Sequence, residues 1–367
     1  MDQGPEGHRG EEQTTDHADE DGAHGGFLGT GQPMITRVFP RARHPMKKSS
    51  SALLAILLGL ASALFFTMTY VLNRNMAAEG GFWAWSASLR YFIMLPLMAV
   101  LVAAHGGLRP LGAELRRHPG EWLLWSSVGF GVFYAFLTVS ADYGPSWLIA
   151  GTFQLTVLAG PLLSPFIYTD ARRRIPLKAV GMGSLIVLGV LVMQLGHFQL
   201  AMPASAWLAL LFVVISAVAY PLGNRRVMLH LEREGVSLDA SQRVLGMTLG
   251  SLPFWLGVAA YGYERVGWPP VGQVVQSAGV SLSSGVIATT LFFRAAQMTA
   301  NNPVGLSAVE ATQATELLFA LLLGVLFLGE SWPSAFSFVG AGLIVVGMVL
   351  YSRVSVAAEL EPAAVQT

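Results

Sequence analysis

Glu310, Gln313 and Glu316 stand three residues apart in an otherwise apolar stretch, AVEATQATELLFALLLGVLFLGE at 308–330. At about 100° per helical residue they fan across about 120° of one face. Thr312 and Thr315 lie beside them. Such a face can hydrogen-bond a polar molecule. Either glutamate can also carry a proton, because taking a carboxylate out of water favours its neutral form. A proton and a cationic or polar ligand would then compete for one carboxylate, which is the chemistry of exchange. Glu310 is the favoured carrier, being further from Glu330 at the end of the run. Gln154 and Thr156 form a second polar stretch, AGTFQLT at 150–156. Arg90 and Arg243 also fall in apolar segments, where ionisable groups are costly and point to function. A structural reading stands beside each. A glutamate can pair with an arginine and only hold a bundle together. The arginines can snorkel, cap helix ends or pair with Glu310 or Glu316. The Gln and Thr side chains can bond between helices.

The elements that position these residues follow from composition. Of 367 residues, 53% are hydrophobic and only 12% charged, about half the charged share of a soluble domain. This excludes a soluble enzyme, a nucleic-acid binder and a disordered scaffold. A membrane-crossing helix needs about 20 mostly apolar residues. Ten segments qualify: 51–72, 84–104, 122–141, 146–168, 177–195, 204–223, 243–262, 273–296, 303–328 and 335–352. The fold expected is an all-α integral membrane protein with short loops. Trp83, Trp85, Trp122, Trp125 and Trp147 cluster at helix starts, where interfacial anchoring is the ordinary role. Asn73 and Asn224 read as helix C-terminal features.

The formal net charge is zero, from 22 bases and 22 acids. Residues 1–30 hold eight of the acids and one base, so the remainder carries 21 bases against 14 acids. With the N-terminus in the cytoplasm, sixteen bases fall on the cytoplasmic side: Arg37, Arg41, Arg43, Lys47, Lys48, Arg109, Arg116, Arg117, Arg172, Arg173, Arg174, Lys178, Arg225, Arg226, Arg233 and Arg353. Only Arg74 and Arg265 fall outside. That bias sets the orientation, with both termini cytoplasmic, and supports ten spans. Arg294 snorkels from the inner end of its helix, and Asp142 sits at an interface. Residues 1–48 form a disordered tail, acidic and then basic; Met46 reads as an alternative start. The first five-helix unit covers 49–198 and the second 199–353, with a short tail at 354–367.

The two halves resemble each other at an offset of about 151–160 residues. Asn73-Arg74-Asn75 answers Asn224-Arg225-Arg226, and Ser88-Leu89-Arg90 answers Ser241-Gln242-Arg243. Thr152-Phe153-Gln154-Leu155-Thr156 answers Thr312-Gln313-Ala314-Thr315, and Val180-Gly181-Met182-Gly183 answers Val339-Gly340-Ala341-Gly342. An odd number of helices per unit makes the second copy enter from the opposite side, giving a 5+5 inverted-topology repeat.

Through Asn73-Arg74-Asn75, Arg90, AGTFQLT at 150–156, the 308–330 stretch and VGAGLIVVGMVLYS at 339–352, the chain resembles the drug/metabolite transporter superfamily. Within its ten-helix EamA-like branch it is most similar to the multidrug resistance efflux (EmrE-like) transporters. The resemblance covers roughly residues 48–353. It implies a secondary transporter that exports small organic molecules or drugs in exchange for protons. It also implies a multi-pass protein of a bacterial plasma (inner) membrane. A carrier of a specific polar metabolite, such as an amino acid or nucleoside, is the alternative. One departure stands out: small exporters of the superfamily use an acid in their first helix, whereas Ser51–Leu72 has no Asp or Glu. Gln313, Thr312, Thr315, Gln154 and Thr156 are the expected cavity lining. Glu310 and Glu316 are the expected coupling groups, with Arg90 and Arg243 as charge partners. Tyr70 and Tyr134 can stack on a flat or cationic molecule.

A membrane enzyme is the distant alternative. All eight histidines fall in the tail or in expected loops, and no P-loop, His-x-x-x-His or Gly-x-Ser-x-Gly pattern occurs. There is no cysteine. No cofactor, resident metal or nucleic acid is expected. The expected partners are the small molecule, the lipid bilayer and the proton. Ten helices can form a pathway in one chain, so both monomer and homodimer are compatible.

Overall fold

Long apolar runs in lipid must satisfy their backbone polar groups internally, and helices do so within one segment. The computed structural model describes residues 48–105, 107–175, 177–197, 204–299 and 308–364, all within one unit, 35–367. The expected tail thus falls outside the described residues apart from Lys48, as do 303–307 of the ninth expected segment.

Among the described residues nine helices are long and apolar enough to cross a membrane, or ten if one bent pair is a single span. In chain order the elements are α1 (Lys48–Ala78), α2 (Trp83–His105), α3 (Arg109–Arg117), α4 (Pro119–Ser140), α5 (Ser146–Ile167) and α6 (Leu177–His197). They continue as α7 (Ala204–Arg233), α8 (Ala240–Gly250), α9 (Leu252–Val266), α10 (Val271–Thr299), α11 (Ala308–Leu328) and α12 (Ala335–Ala364). Among the described residues there is no strand. The bent pair is α8 and α9, meeting at 47°, where Pro253 near the start of α9 lacks the N–H that would continue the ladder. The short helix α3 is not a span; its basic residues Arg109, Arg116 and Arg117 decorate a connector between α2 and α4.

Four spans depart from α geometry partway along. The backbone widens to a π segment at Ser127–Val132 in α4 and again at Ser281–Ala288 in α10. The α ladder breaks at Gln154-Leu155 in α5, and Thr312–Ala314 in α11 is a 3₁₀ turn. The packing also has an exchange pattern. Helix α1 lies against α10 and α11, while α7 lies against α4 and α5. Helices α6 and α12, the fifth and the last spans, pack on each other.

Glycines permit the closest crossings, as expected where helices have only packing to hold them in lipid. A Cβ on Gly223 of α7 would lie within 2.3 Å of Gly129 Cα in α4. Gly223→Ala is therefore expected to push two backbones apart, costing about 1–3 kcal/mol. Gly342, with nothing within 4 Å of an added Cβ, should accept alanine without loss. Thermal unfolding of both purified variants in one detergent tests the contrast.

Two expectations need correction. Helices α1 and α7 run on to Ala78 and Arg233, so Asn73 and Asn224 lie inside helices. No breaker comes after either residue until Gly80 and Gly235, both at positive φ. Of the five tryptophans expected at interfaces, Trp85, Trp122 and Trp147 are buried in the core. Small partners make room for them: an added Cβ on Gly246 would touch the Trp122 ring. The exposed tryptophans are Trp207, Trp268 and Trp332.

Candidate functional site

Helix α1 brings two consecutive residues to two buried charges. Thr69 Oγ1 accepts from Arg90 Nη1 at 3.3 Å. Tyr70 donates its hydroxyl to Glu316 Oε2 at 3.4 Å. Thr67, one turn earlier, donates to the Glu316 carbonyl at 3.3 Å. Glu316 and Arg90 are each only 9% exposed. Glu316 stands in the second segment of α11, just after the 3₁₀ turn, whose three residues per turn rotate that segment relative to a continuous α-helix.

Aromatic rings connect the two charges. Tyr70 lies 6.4 Å from Phe153 of α5, and Phe153 lies 5.5 Å from Phe133 of α4. Phe133 meets Tyr220 of α7 at 4.9 Å and Tyr134 at 5.9 Å. The Arg90 guanidinium sits 4.2 Å above the Tyr134 ring, a desolvated cation–π geometry. Asn73 donates to the Tyr134 hydroxyl at 2.9 Å and fixes that ring. Behind it Tyr91 stacks on Trp255 of α9 at 4.6 Å. Tyr220 is 39% exposed in the middle of its helix, so the ring cluster has an open side.

Arg90 has no carboxylate within 4 Å among the described residues. Its buried Nε has no hydrogen-bond partner there either. An unpaired buried guanidinium is costly, and the cation–π contact offsets only part of that cost. Arg243, in the first turn of α8, is half-buried and its Nε is likewise unpartnered among the described residues. Neither arginine forms an ion pair with Glu316, so the pairing envisaged from sequence is not made in this conformation.

The other expected residues fall in different places. Glu310 is exposed on the first turn of α11. Gln313 is half-buried and donates to the Gly59 carbonyl of α1 at 3.4 Å. Thr312 and Thr315 return their hydroxyls to Val309 and Thr312 carbonyls of their own helix. Gln154 is buried and bonds back to Ala150 at 3.3 Å, and Thr156 begins the second segment of α5. No hydrogen bond joins the 150–156 stretch to the 312–316 stretch among the described residues. Arg294 is exposed, as snorkelling requires.

At the end of the molecule opposite α3, a buried acid was missed by sequence reasoning. The Glu330 side chain is 7% exposed and accepts from the Ser146 backbone N–H at 2.7 Å and its hydroxyl at 2.9 Å. Arg74 approaches it at 4.0 Å and donates to the Ala141 carbonyl at 2.8 Å. Burial pushes the Glu330 carboxyl above the usual carboxylate range, while the Ser146 donors and Arg74 oppose that shift. The left-handed Gly329 (φ 63°) turns the chain so that Glu330 reaches the start of α5. Glu330→Ala would orphan a helix N-terminal donor and is expected to cost about 1–3 kcal/mol. Glu330→Gln, which keeps an acceptor, should cost less; thermal unfolding ranks the two.

A family model described as "Putative multidrug resistance efflux transporter" (EmrE) matches residues 53–357. The chain belongs to that family. This EmrE-family chain is thus a multi-pass membrane transporter, and its family and helical membrane fold point away from an enzyme. Uncharacterized protein YjlA of Bacillus subtilis (strain 168) is 47% identical over 310 residues, 82% of this chain and 95% of its own. An uncharacterized 42.1 kDa protein of Shouchella clausii, named for its place in the intracellular alkaline protease 3' region, is 41% identical over 268 residues. That match spans 71% of this chain and 70% of the relative. A solved crystal structure shares the fold at TM-score 0.52 and 16% identity, over 83% of this chain and 96% of its own.

Proposed function

We propose that this EmrE-family protein is a secondary transporter that exports small organic molecules in exchange for protons, with Glu316 as the coupling group. The observation that carries this reading is a buried glutamate at the edge of an aromatic cluster contributed by α1, α4, α5 and α7. In this scheme the protonated carboxyl resets the carrier, and a cationic or polar substrate displaces the proton on binding. Tyr70 stabilises the ionised form by donating to it. Gln313, Thr312, Thr315, Gln154 and Thr156 line the path as polar contacts. Glu310 receives the proton nearer the end of α11. Arg243, at the position matching Arg90, keeps charge balance as the halves move.

The 5+5 inverted repeat belongs to this proposal. It is supported by the exchange pattern of packing, in which the first span meets the eighth and ninth while the sixth meets the third and fourth. The π segments in spans three and eight, and the helix breaks in spans four and nine, fall at corresponding places. Alternating access then comes from rocking one half against the other.

Arg90 favours a second reading of the substrate. Without a carboxylate partner it would welcome an anionic group, so a zwitterionic metabolite fits the two charges better than a simple cation. The deciding experiment is a panel of cations, zwitterions and anions offered to proteoliposomes under an imposed pH gradient. Uptake that tracks the gradient supports exchange. A panel in which no compound moves and no proton flux is evoked overturns it.

A further inference from the structure

At the end of the molecule that carries α3, two histidines and two glutamates converge from distant parts of the chain. Glu114 lies on α3 and His118 four residues on, at its C-terminus. His230 lies near the end of α7, and Glu234 comes just after it. One ligand atom from each of Glu114, His118 and His230 lies within 4.8 Å of the others. His230 Nε2 is 2.7 Å from Glu114 Oε1, and Glu114 is 3% exposed. His118 Nε2 is 3.2 Å from Glu234 Oε2. That contact is not aligned as a hydrogen bond, so the buried His118 Nε2 has no such partner among the described residues. The two imidazoles meet edge to face at 4.7 Å.

We propose that Glu114, His118 and His230 form a binding site for a divalent transition-metal ion of the zinc type, with exposed Glu234, beside His118 but outside that three-residue group, swinging in as the fourth ligand. Four donors at about 2.0–2.2 Å from a tetrahedral ion stand about 3.3–3.6 Å apart. The His118–Glu234 separation is already close to that range, the Glu114–His230 pair opens by about 0.6–0.9 Å to reach it, and the remaining separations within the three-residue group, up to 4.8 Å, contract. The chemistry of the set is that of zinc and its neighbours, since imidazole with carboxylate suits borderline ions rather than calcium. An ion would satisfy the buried Nε2 that the protein leaves unbonded. It would also tie the α3–α4 junction to the far end of α7, linking the first half of the chain to the second. This site stands apart from the transport reading and does not depend on it.

The test uses the full chain, purified without a polyhistidine tag and stripped with a chelator. Zn²⁺ is titrated calorimetrically into wild type, His118→Ala, His230→Ala and the control His105→Ala, an exposed residue outside the cluster. Tail histidines are common to all four and cancel in the comparison. Affinity at one saturable equivalent should fall more than about 10-fold in the two cluster variants, the loss that even outer-shell changes produce. It should hold in the control. Zn²⁺ should also raise the wild-type melting temperature. His118→Gln and His230→Gln keep bulk and a hydrogen-bonding end should an alanine variant misfold. Equal affinity in wild type and cluster variants, or a wild-type melting temperature indifferent to Zn²⁺, overturns the site.

Discussion

Glu316→Gln is expected to reduce gradient-driven transport to background while the protein still folds and reaches the membrane. Glutamine has nearly the same shape and keeps an oxygen that can accept the Tyr70 hydroxyl, now 3.4 Å from Glu316 Oε2. The Thr67 contact goes to the backbone carbonyl and is untouched. The folding cost is therefore that of exchanging one hydrogen bond, about 0.5–1.5 kcal/mol. Glutamine cannot release and recapture a proton, so coupling is lost whole. Glu310→Gln should retain measurable transport, because Glu310 is exposed on its turn. Proton-linked uptake in proteoliposomes, normalised to inserted protein, separates the two. Undiminished uptake by Glu316→Gln would refute the assignment.

The contrast between these two glutamates marks where sequence reading stops. Spacing alone places them about 120° apart on a helix, so both cannot point into one narrow site. It does not say which of them faces inward. The 3₁₀ turn at Thr312–Ala314 lies between them and changes the phase. Nothing in TQAT announces that turn. The corresponding stretch of α5 breaks its helix at Gln154-Leu155, and its polar residues were legible while their partners were not. Tyr70 and Glu316 are 246 residues apart and Asn73 and Tyr134 61 apart. Contacts at such separations depend on how the helices pack, which apolar periodicity does not encode.

The spans themselves were legible because bilayer thickness dictates their length, and every expected segment has a helical counterpart among the described residues. The tryptophans show the opposite. The interfacial rule treats a ring at a helix start as an anchor, yet Trp122 and Trp147 face neighbouring helices. Whether a ring meets lipid or protein depends on small residues across the gap, such as Gly246. Spacing along the chain puts the histidines in the tail or in loops, whereas His105, His197 and His230 lie within helices α2, α6 and α7. His118 and His230 meet only because α3 folds beside the end of α7.

Arg90→Gln is expected to shift substrate selectivity rather than abolish folding. Losses and a gain in stability oppose each other. The variant gives up the cation–π contact with Tyr134 at 4.2 Å, about 0.5–2 kcal/mol in a desolvated setting, and the hydrogen bond to Thr69 at 3.3 Å, about 0.5–1.5 kcal/mol. It also removes a buried Nε that has no hydrogen-bond partner among the described residues, whose desolvation costs about 1–3 kcal/mol. The losses and the gain nearly cancel, so expression and melting temperature should stay close to wild type. Binding has no such compensation. A substrate carboxylate seated against Arg90 would lose charge-assisted hydrogen bonds of about 1.5–3 kcal/mol, or about 10- to 150-fold in affinity. A purely cationic substrate would keep its affinity or gain, since a buried positive charge has left the site. Arg90→Lys restores the charge but not the planar stacking on Tyr134, and should recover anionic substrates only in part. Competition measurements with matched cationic and zwitterionic compounds decide the matter. Parallel losses for both classes would make Arg90 a structural residue and leave the substrate to be a cation held by Glu316 and the aromatic cluster.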